Sequence, residues 1–263
     1  MQISRGDGRP GYRRCMSRPP RPRIAGALYH VTARGNRKAD IFLDEQDYAC
    51  WLELFGQAVQ RFALVCHGFC QMPNHFHLLL QTPAPNISEA MHFLNCAYAC
   101  AFNRRHELDG HVLQGRFHSV LVEEESHFLE LTRYIALNPV RARLVPTAAE
   151  WRWSHYRFTA GLECAPPWLQ TEATLSRFAQ VDEAARQQAF RSFVAAGVGG
   201  RNPLAPPKLP EPQSCKTAEE RDAAIGHAMR SGHFTARQLA EHFSLSLSTV
   251  HRIAGRGRDY FSS

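Results

Sequence analysis

One stretch limits the fold more than any other: Gln71-Met72-Pro73-Asn74-His75-Phe76-His77-Leu78-Leu79-Leu80. A Pro-Asn turn signal opens an apolar run of strand length, the pattern of a buried β-strand. Residues two apart on a strand share a face, so His75 and His77 project together while Phe76 and Leu78 point the other way into a core. Two neutral imidazoles on one stiff element make half of a metal site. They are equally compatible with a hydrogen-bonded pair at a sheet edge, and the spacing by itself leaves both open.

The flanking pattern supplies the rest of a domain. Residues 24–33 alternate as a first strand, and Tyr48, Trp51, Leu52, Phe55 and Val59 recur at helical spacing over 45–61, with Asp44 as N-cap. Residues 62–71 and 75–81 read as a closely connected antiparallel pair across Pro73-Asn74. A second helix runs from Asn86-Ile87-Ser88 to about His106, a fourth strand covers 114–122, and a third helix starts near Ser126 and stops at Pro139. This order predicts an α+β fold of the split βαβ kind: one antiparallel sheet with helices packed on one face.

Four segments follow from composition: a basic arm over 1–23, the α/β domain over 24–161, a helical extension with a Pro-rich linker over 162–212, and a separate module over 213–263. The net charge of +7 is unevenly placed. Residues 1–23 hold seven arginines against one aspartate, and 213–263 hold seven Lys or Arg against five Asp or Glu. Such an arm cannot pack a core and suits phosphate neutralisation. With no apolar run near the roughly 20 residues of a membrane span and no secretory signal, the chain is expected in the cytoplasm, associated with the nucleoid. Of the eight cysteines, Cys66/Cys70 and Cys96/Cys100 are spaced i, i+4. They are expected as buried free thiols, with a structural zinc site as the lesser alternative.

The third helix brings a second chemical group. Phe128, Leu131 and Ile135 form its buried stripe, and Tyr134 and Asn138, four apart, sit one above the other. A packed tyrosine with an Asn at the helix end would be ordinary structure. Beside His75 and His77, however, the amide oxygen could complete a divalent-ion site, and the phenol could act as a nucleophile on a phosphodiester.

These blocks resemble the REP-associated tyrosine transposases, one-tyrosine members of the HUH single-strand endonucleases. The resemblance is carried by Tyr29-His30-Val31-Thr32 with Arg34-Gly35-Asn36, by Met72 to Leu80, and by Gly110-His111 with Gln114-Gly115-Arg116-Phe117. It continues in Tyr134-Ile135-Ala136-Leu137-Asn138-Pro139-Val140-Arg141-Ala142 and Trp153-Ser154-His155-Tyr156, where the family usually has Ser-Ser-Tyr. It implies a ferredoxin-like HUH fold, Tyr134 as nucleophile, and His75, His77 and Asn138 holding Mg²⁺ or Mn²⁺. The implied substrates are single-stranded REP or BIME-like hairpins, cut to a 5′-phosphotyrosyl DNA and a free 3′-hydroxyl by a monomer or homodimer. Arg34, Arg37, Gln114 and Arg116 are then expected near DNA, with Arg133, Arg141 and Arg143 flanking the cut strand.

At the C-terminus, 235–243 and 246–253 read as a helix-turn-helix with Ala240, Leu245, Val250 and Ile253 inside. Ser248, Thr249, His251 and Arg252 would face a duplex groove. A pair of helices used only for docking remains the structural alternative. At the level of the whole chain, the alternative to a nuclease is a non-cutting DNA-binding regulator that uses the arm and this module.

Overall fold

The computed structural model describes residues 24–122, 126–200, 203, 209–230 and 234–256, so the basic arm expected over 1–23 lies outside the described residues. Strands β1 (Ala27–Arg34), β2 (Val65–Met72), β3 (His75–Thr82) and β4 (His118–Leu121) pair antiparallel in the order β2-β3-β1-β4. Helix α1 (Glu45–Arg61) links β1 to β2, and α2 (Ile87–His106) links β3 to β4. Each crossover skips one position that an antiparallel strand fills. The result is the ferredoxin-like layout of two interlocked split βαβ units.

Strand periodicity decides which side chains meet. Phe76, Leu78 and Leu80 of β3 and Tyr29, Val31 and Ala33 of β1 enter one core with Trp51, Phe55 and Val59 of α1 and Met91, Leu94 and Tyr98 of α2. Each large side chain removed from water there contributes roughly 1.5–3 kcal/mol. Asp44 caps α1 as expected, accepting from the backbone N–H groups of Gln46 and Asp47.

The other face of the sheet departs from the expectation. Helix α3 (Ser126–Arg141) does not join α1 and α2; it crosses the opposite face, where Phe128, Leu131 and Ile135 pack on Cys70, Met72 and Leu79. The reason lies in the unbroken run Leu78-Leu79-Leu80. It makes β3 apolar on both sides, and a sheet with two apolar faces needs two covers. Crossing there brings α3 onto the histidine face.

Two boundaries also move. Strand β4 is shorter than the expected 114–122, because Gly115 turns out of the ladder at φ +67° after an isolated Gly35–Leu113 bridge. Pro139 does not stop α3, which runs two residues further, to Arg141. The proline removes only the N–H that would serve the Ile135 carbonyl, and the Asn138 side-chain amide lies 3.5 Å from that oxygen.

After the domain, α4 (Tyr156–Thr159), α5 (Glu172–Leu175) and α6 (Glu183–Ala195) follow. Phe190 and Val194 of α6 pack with Ala136, Leu137 and Tyr156, so the extension lies against the outer side of α3. Helices α7 (Ala218–Arg230), α8 (Ala236–His242) and α9 (Leu247–Arg256) share another core. Leu239, Ala240, Phe243, Val250 and Ile253 close the expected helix pair, and α7 adds Ile225 and Ala228 as a third wall. Among the described residues no helix is long and apolar enough to cross a membrane.

Candidate active site

The register of β3 builds the site. His77 lies opposite Thr32 of β1 and Cys70 of β2, and His75 lies opposite Arg34 and Met72. All these side chains therefore share the face that α3 covers. The two imidazoles stand with ring centroids 4.9 Å apart. From α3, the Tyr134 ring meets His77 edge-on at 5.9 Å. Helix and strand thus converge within one chain.

Burial sets the protonation states. It lowers the pKa of His75 to about 4, and the nearby Arg34 guanidinium pushes in the same direction. His77 is pushed well below an ordinary imidazole, by burial first and then by His30, His75 and Arg34. Both rings are therefore neutral near pH 7 and keep a lone pair for a cation. The Tyr134 phenol moves the other way: burial raises its pKa, and Arg141 only partly opposes this. The Arg141 guanidinium lies over the Tyr134 ring, 5.2 Å from its centroid, and also donates to the Gly200 carbonyl.

Asn138 sits one helical turn beyond Tyr134, and its Nδ2 donates to the Tyr134 carbonyl at 3.0 Å. That bond commits the amide nitrogen and leaves Oδ1 as the group a cation could use. Among the described residues no group of three or more His, Cys, Asp or Glu side chains is placed to hold a metal ion. An amide oxygen one turn along α3 from Tyr134 is a donor that could join the histidine pair. One observation fits an ion directly: His77 Nε2 is buried and, among the described residues, has no hydrogen-bond partner. Two imidazole nitrogens with an amide oxygen form a donor set better matched to Mn²⁺ than to the all-oxygen preference of Mg²⁺.

The zinc alternative finds no such cluster among the described residues. A bulge between Cys66 and Gly68 shifts the register, so Cys66 enters the α1/α2 core and Cys70 the α3 face. Burial raises both thiols far above the ordinary range. Cys96 and Cys100, expected to be buried as well, are instead exposed on α2.

The residues expected near DNA divide into groups. Arg34 is exposed at the end of β1, next to the histidines, and Arg37 is exposed in the following turn at φ 53°. Gln114 is exposed, with its backbone N–H on the Arg34 carbonyl. Arg116 borders a groove with Met91, His92 and Asn95 of α2, on the side of the sheet away from α3. Arg143 is exposed just past α3. Arg133 is engaged elsewhere: it pairs with Glu130 and covers the Phe193 ring of α6 at 4.4 Å. In the C-terminal unit, Ser248 and Thr249 both bond the Ser246 hydroxyl at 2.8 Å in the turn that opens α9, while His251 is half-buried and Arg252 exposed.

Two further residues belong to the site. His30 Nε2 lies 3.0 Å from His77 Nδ1, with the two rings stacked at 5.2 Å. His75 Nδ1 lies 2.6 Å from Asn74 Oδ1. Both stood inside motif blocks, yet only strand register could reveal that His30 of β1 meets His77 of β3.

No curated protein matches the chain. A similar solved structure is described as "Structure of the REP associates tyrosine transposase bound to a REP hairpin"; it is 18% identical over 59% of this chain and 92% of that one, with a TM-score of 0.48. The family model described as "Transposase IS200 like" covers residues 24–138. The segment that carries the histidine pair, Tyr134 and Asn138 thus matches the IS200-like transposase family.

Proposed function

We propose that the chain is a metal-dependent single-strand DNA endonuclease and strand transferase that acts on REP-like hairpins through Tyr134. The observation that carries this reading is the approach of Tyr134 to His77 within one chain, at 5.9 Å between ring centroids. The family match over residues 24–138 supports the reaction class. The motif resemblance supports the hairpin substrate.

His75, His77 and Asn138 would hold the divalent cation, which when bound draws charge from a phosphodiester oxygen. Tyr134 Oη attacks the phosphorus in line, forming an O–P bond. The P–O3′ bond breaks, the phenolic proton is given up to solvent, and the leaving 3′-oxygen takes a proton from solvent to become a hydroxyl. DNA remains attached through a 5′-phosphotyrosine, and its conserved bond energy allows rejoining to another 3′-hydroxyl. Arg141, placed over the Tyr134 ring, eases formation of the phenolate and offers charge to the incoming phosphate. Arg34 and Arg37 are suited to hold the strand next to the histidines, and α7–α9 are suited to duplex DNA.

The test is incubation with labelled single-stranded hairpin DNA and Mn²⁺. A covalent adduct that survives SDS supports the enzyme. Binding without an adduct supports a non-cutting regulator.

A further inference from the structure

Each imidazole has two ring nitrogens, and only an unprotonated one can face an ion. We propose that Asn74 and His30 are positioning residues that hold His75 and His77 in the Nδ1–H tautomer, so that both Nε2 lone pairs stand ready before an ion arrives. This rests on the reading that the pair holds the divalent cation.

For His75 the proton can be located from the bonding pattern. Asn74 Nδ2 donates to the Lys38 carbonyl at 3.1 Å, which fixes the direction of the amide. Its Oδ1 then faces His75 Nδ1 at 2.6 Å. An amide oxygen only accepts, so Nδ1 carries the hydrogen and Nε2 of the neutral ring is bare.

For His77 burial locates the proton. One of the two nitrogens in the 3.0 Å contact between His30 Nε2 and His77 Nδ1 must carry a hydrogen. A proton on His77 Nε2 instead would be a buried donor facing nothing, since that atom has no partner among the described residues. Such an orphaned donor is costly, because it gives up its hydrogen bond to water and gains none in return. The hydrogen therefore sits on His77 Nδ1, and His30 accepts it. His30 is only 3% exposed, on a strand paired along both edges, so it cannot swing away. Ligand histidines more often donate to a carboxylate or carbonyl. An imidazole acceptor gives the same orientation without adding negative charge to a pocket that must admit a phosphodiester.

The test uses the full chain without DNA. Long-range ¹H–¹⁵N spectra of the metal-free protein read each tautomer, and calorimetric titration reads the affinity for Mn²⁺ alone. The wild type should show Nδ1–H for both His75 and His77. Asn74→Ala should disturb the tautomer of His75 and not of His77, and His30→Leu the reverse. Each should weaken Mn²⁺ binding about 10–100-fold, the range of outer-shell ligand changes. His30→Gln, whose side-chain oxygen can accept the same hydrogen bond, should recover most of the affinity and guards against a folding defect in His30→Leu. Nε2–H tautomers in the wild type, or folded Asn74→Ala and His30→Gln chains whose tautomers and Mn²⁺ affinity contradict this pattern, overturn the proposal. Failure of the transferase reading looks different: the tautomers and Mn²⁺ affinities hold, but wild-type protein forms no adduct with hairpin DNA.

Discussion

The ring of Tyr134 stands edge-on to that of His77, with centroids 5.9 Å apart and planes at 89°. Helix α3 delivers the phenol and strand β3 the imidazole, so a single chain carries both halves of the proposed site. Replacing Tyr134 with Phe keeps the ring and its packing and removes only the hydroxyl. Adduct formation should vanish while stability, followed by thermal melting, changes by no more than about 0.5 kcal/mol.

His75→Ala should abolish cleavage and leave affinity for the hairpin nearly intact. The imidazole is half-buried beside the site and is proposed to hold the ion, not the strand. Gel-shift affinity and cleavage measured on the same preparation check this. Equal loss of both would make His75 a folding element.

Pro139→Ala should make the protein more stable and less active. An alanine N–H would serve the Ile135 carbonyl directly, and the proline inside α3 carries a penalty of up to about 3 kcal/mol. With that carbonyl satisfied, one restraint on the Asn138 amide is lost, so Oδ1 would be held less firmly. A higher melting temperature with a lower cleavage rate is the expected pair of readings.

Stability should fall as the solution is acidified from about pH 6.5 toward pH 4. His155 is fully buried, and burial lowers its pKa from 6.5 to about 4, outweighing the upward effect of its bond to the Phe69 carbonyl. His75 is lowered over the same range. Between those values the unfolded chain binds more protons than the folded one, so stability rises with pH there and is lost on the way down. One such proton is worth up to about 1.4 kcal/mol per pH unit. Denaturant melts at a series of pH values should show a shallower slope for His155→Gln than for the wild type.

Two arginines should separate by function. Arg34→Ala should weaken DNA binding and reduce the salt slope by about 1, as expected when one phosphate contact is lost. Arg133→Ala should leave DNA affinity unchanged and cost about 1 kcal/mol of stability, because its guanidinium covers Phe193 and pairs with Glu130. Salt-dependent binding isotherms alongside melts distinguish the two.

Much of the domain could be read from local pattern. The alternation of β1 and β3, the Asp44 cap and the helical stripes of α1 and α3 each follow from a period or a cap within one segment. What could not be read required knowing what a segment touches. Leu79 is apolar whichever face it takes, so the sequence did not say that α3 would cover the second face. Arg133 looks like any arginine beside Tyr134 until α6 is folded against it. His30 joins the site through the pairing of β1 with β3, a contact between distant segments. Pro139 reads as a helix stop because a proline pushes the residue before it out of the helical region, whereas here Asn138 stays helical and its amide stands near the carbonyl left over.

Peptide mass spectrometry of the SDS-resistant complex tests most directly whether Tyr134 forms the bond to DNA. After nuclease and protease digestion, a nucleotide should be found joined through its 5′-phosphate to the peptide that contains Tyr134, and only when divalent cation was present. A nucleotide on any other residue, or no covalent complex from folded wild-type protein with hairpin DNA and Mn²⁺, would contradict the account.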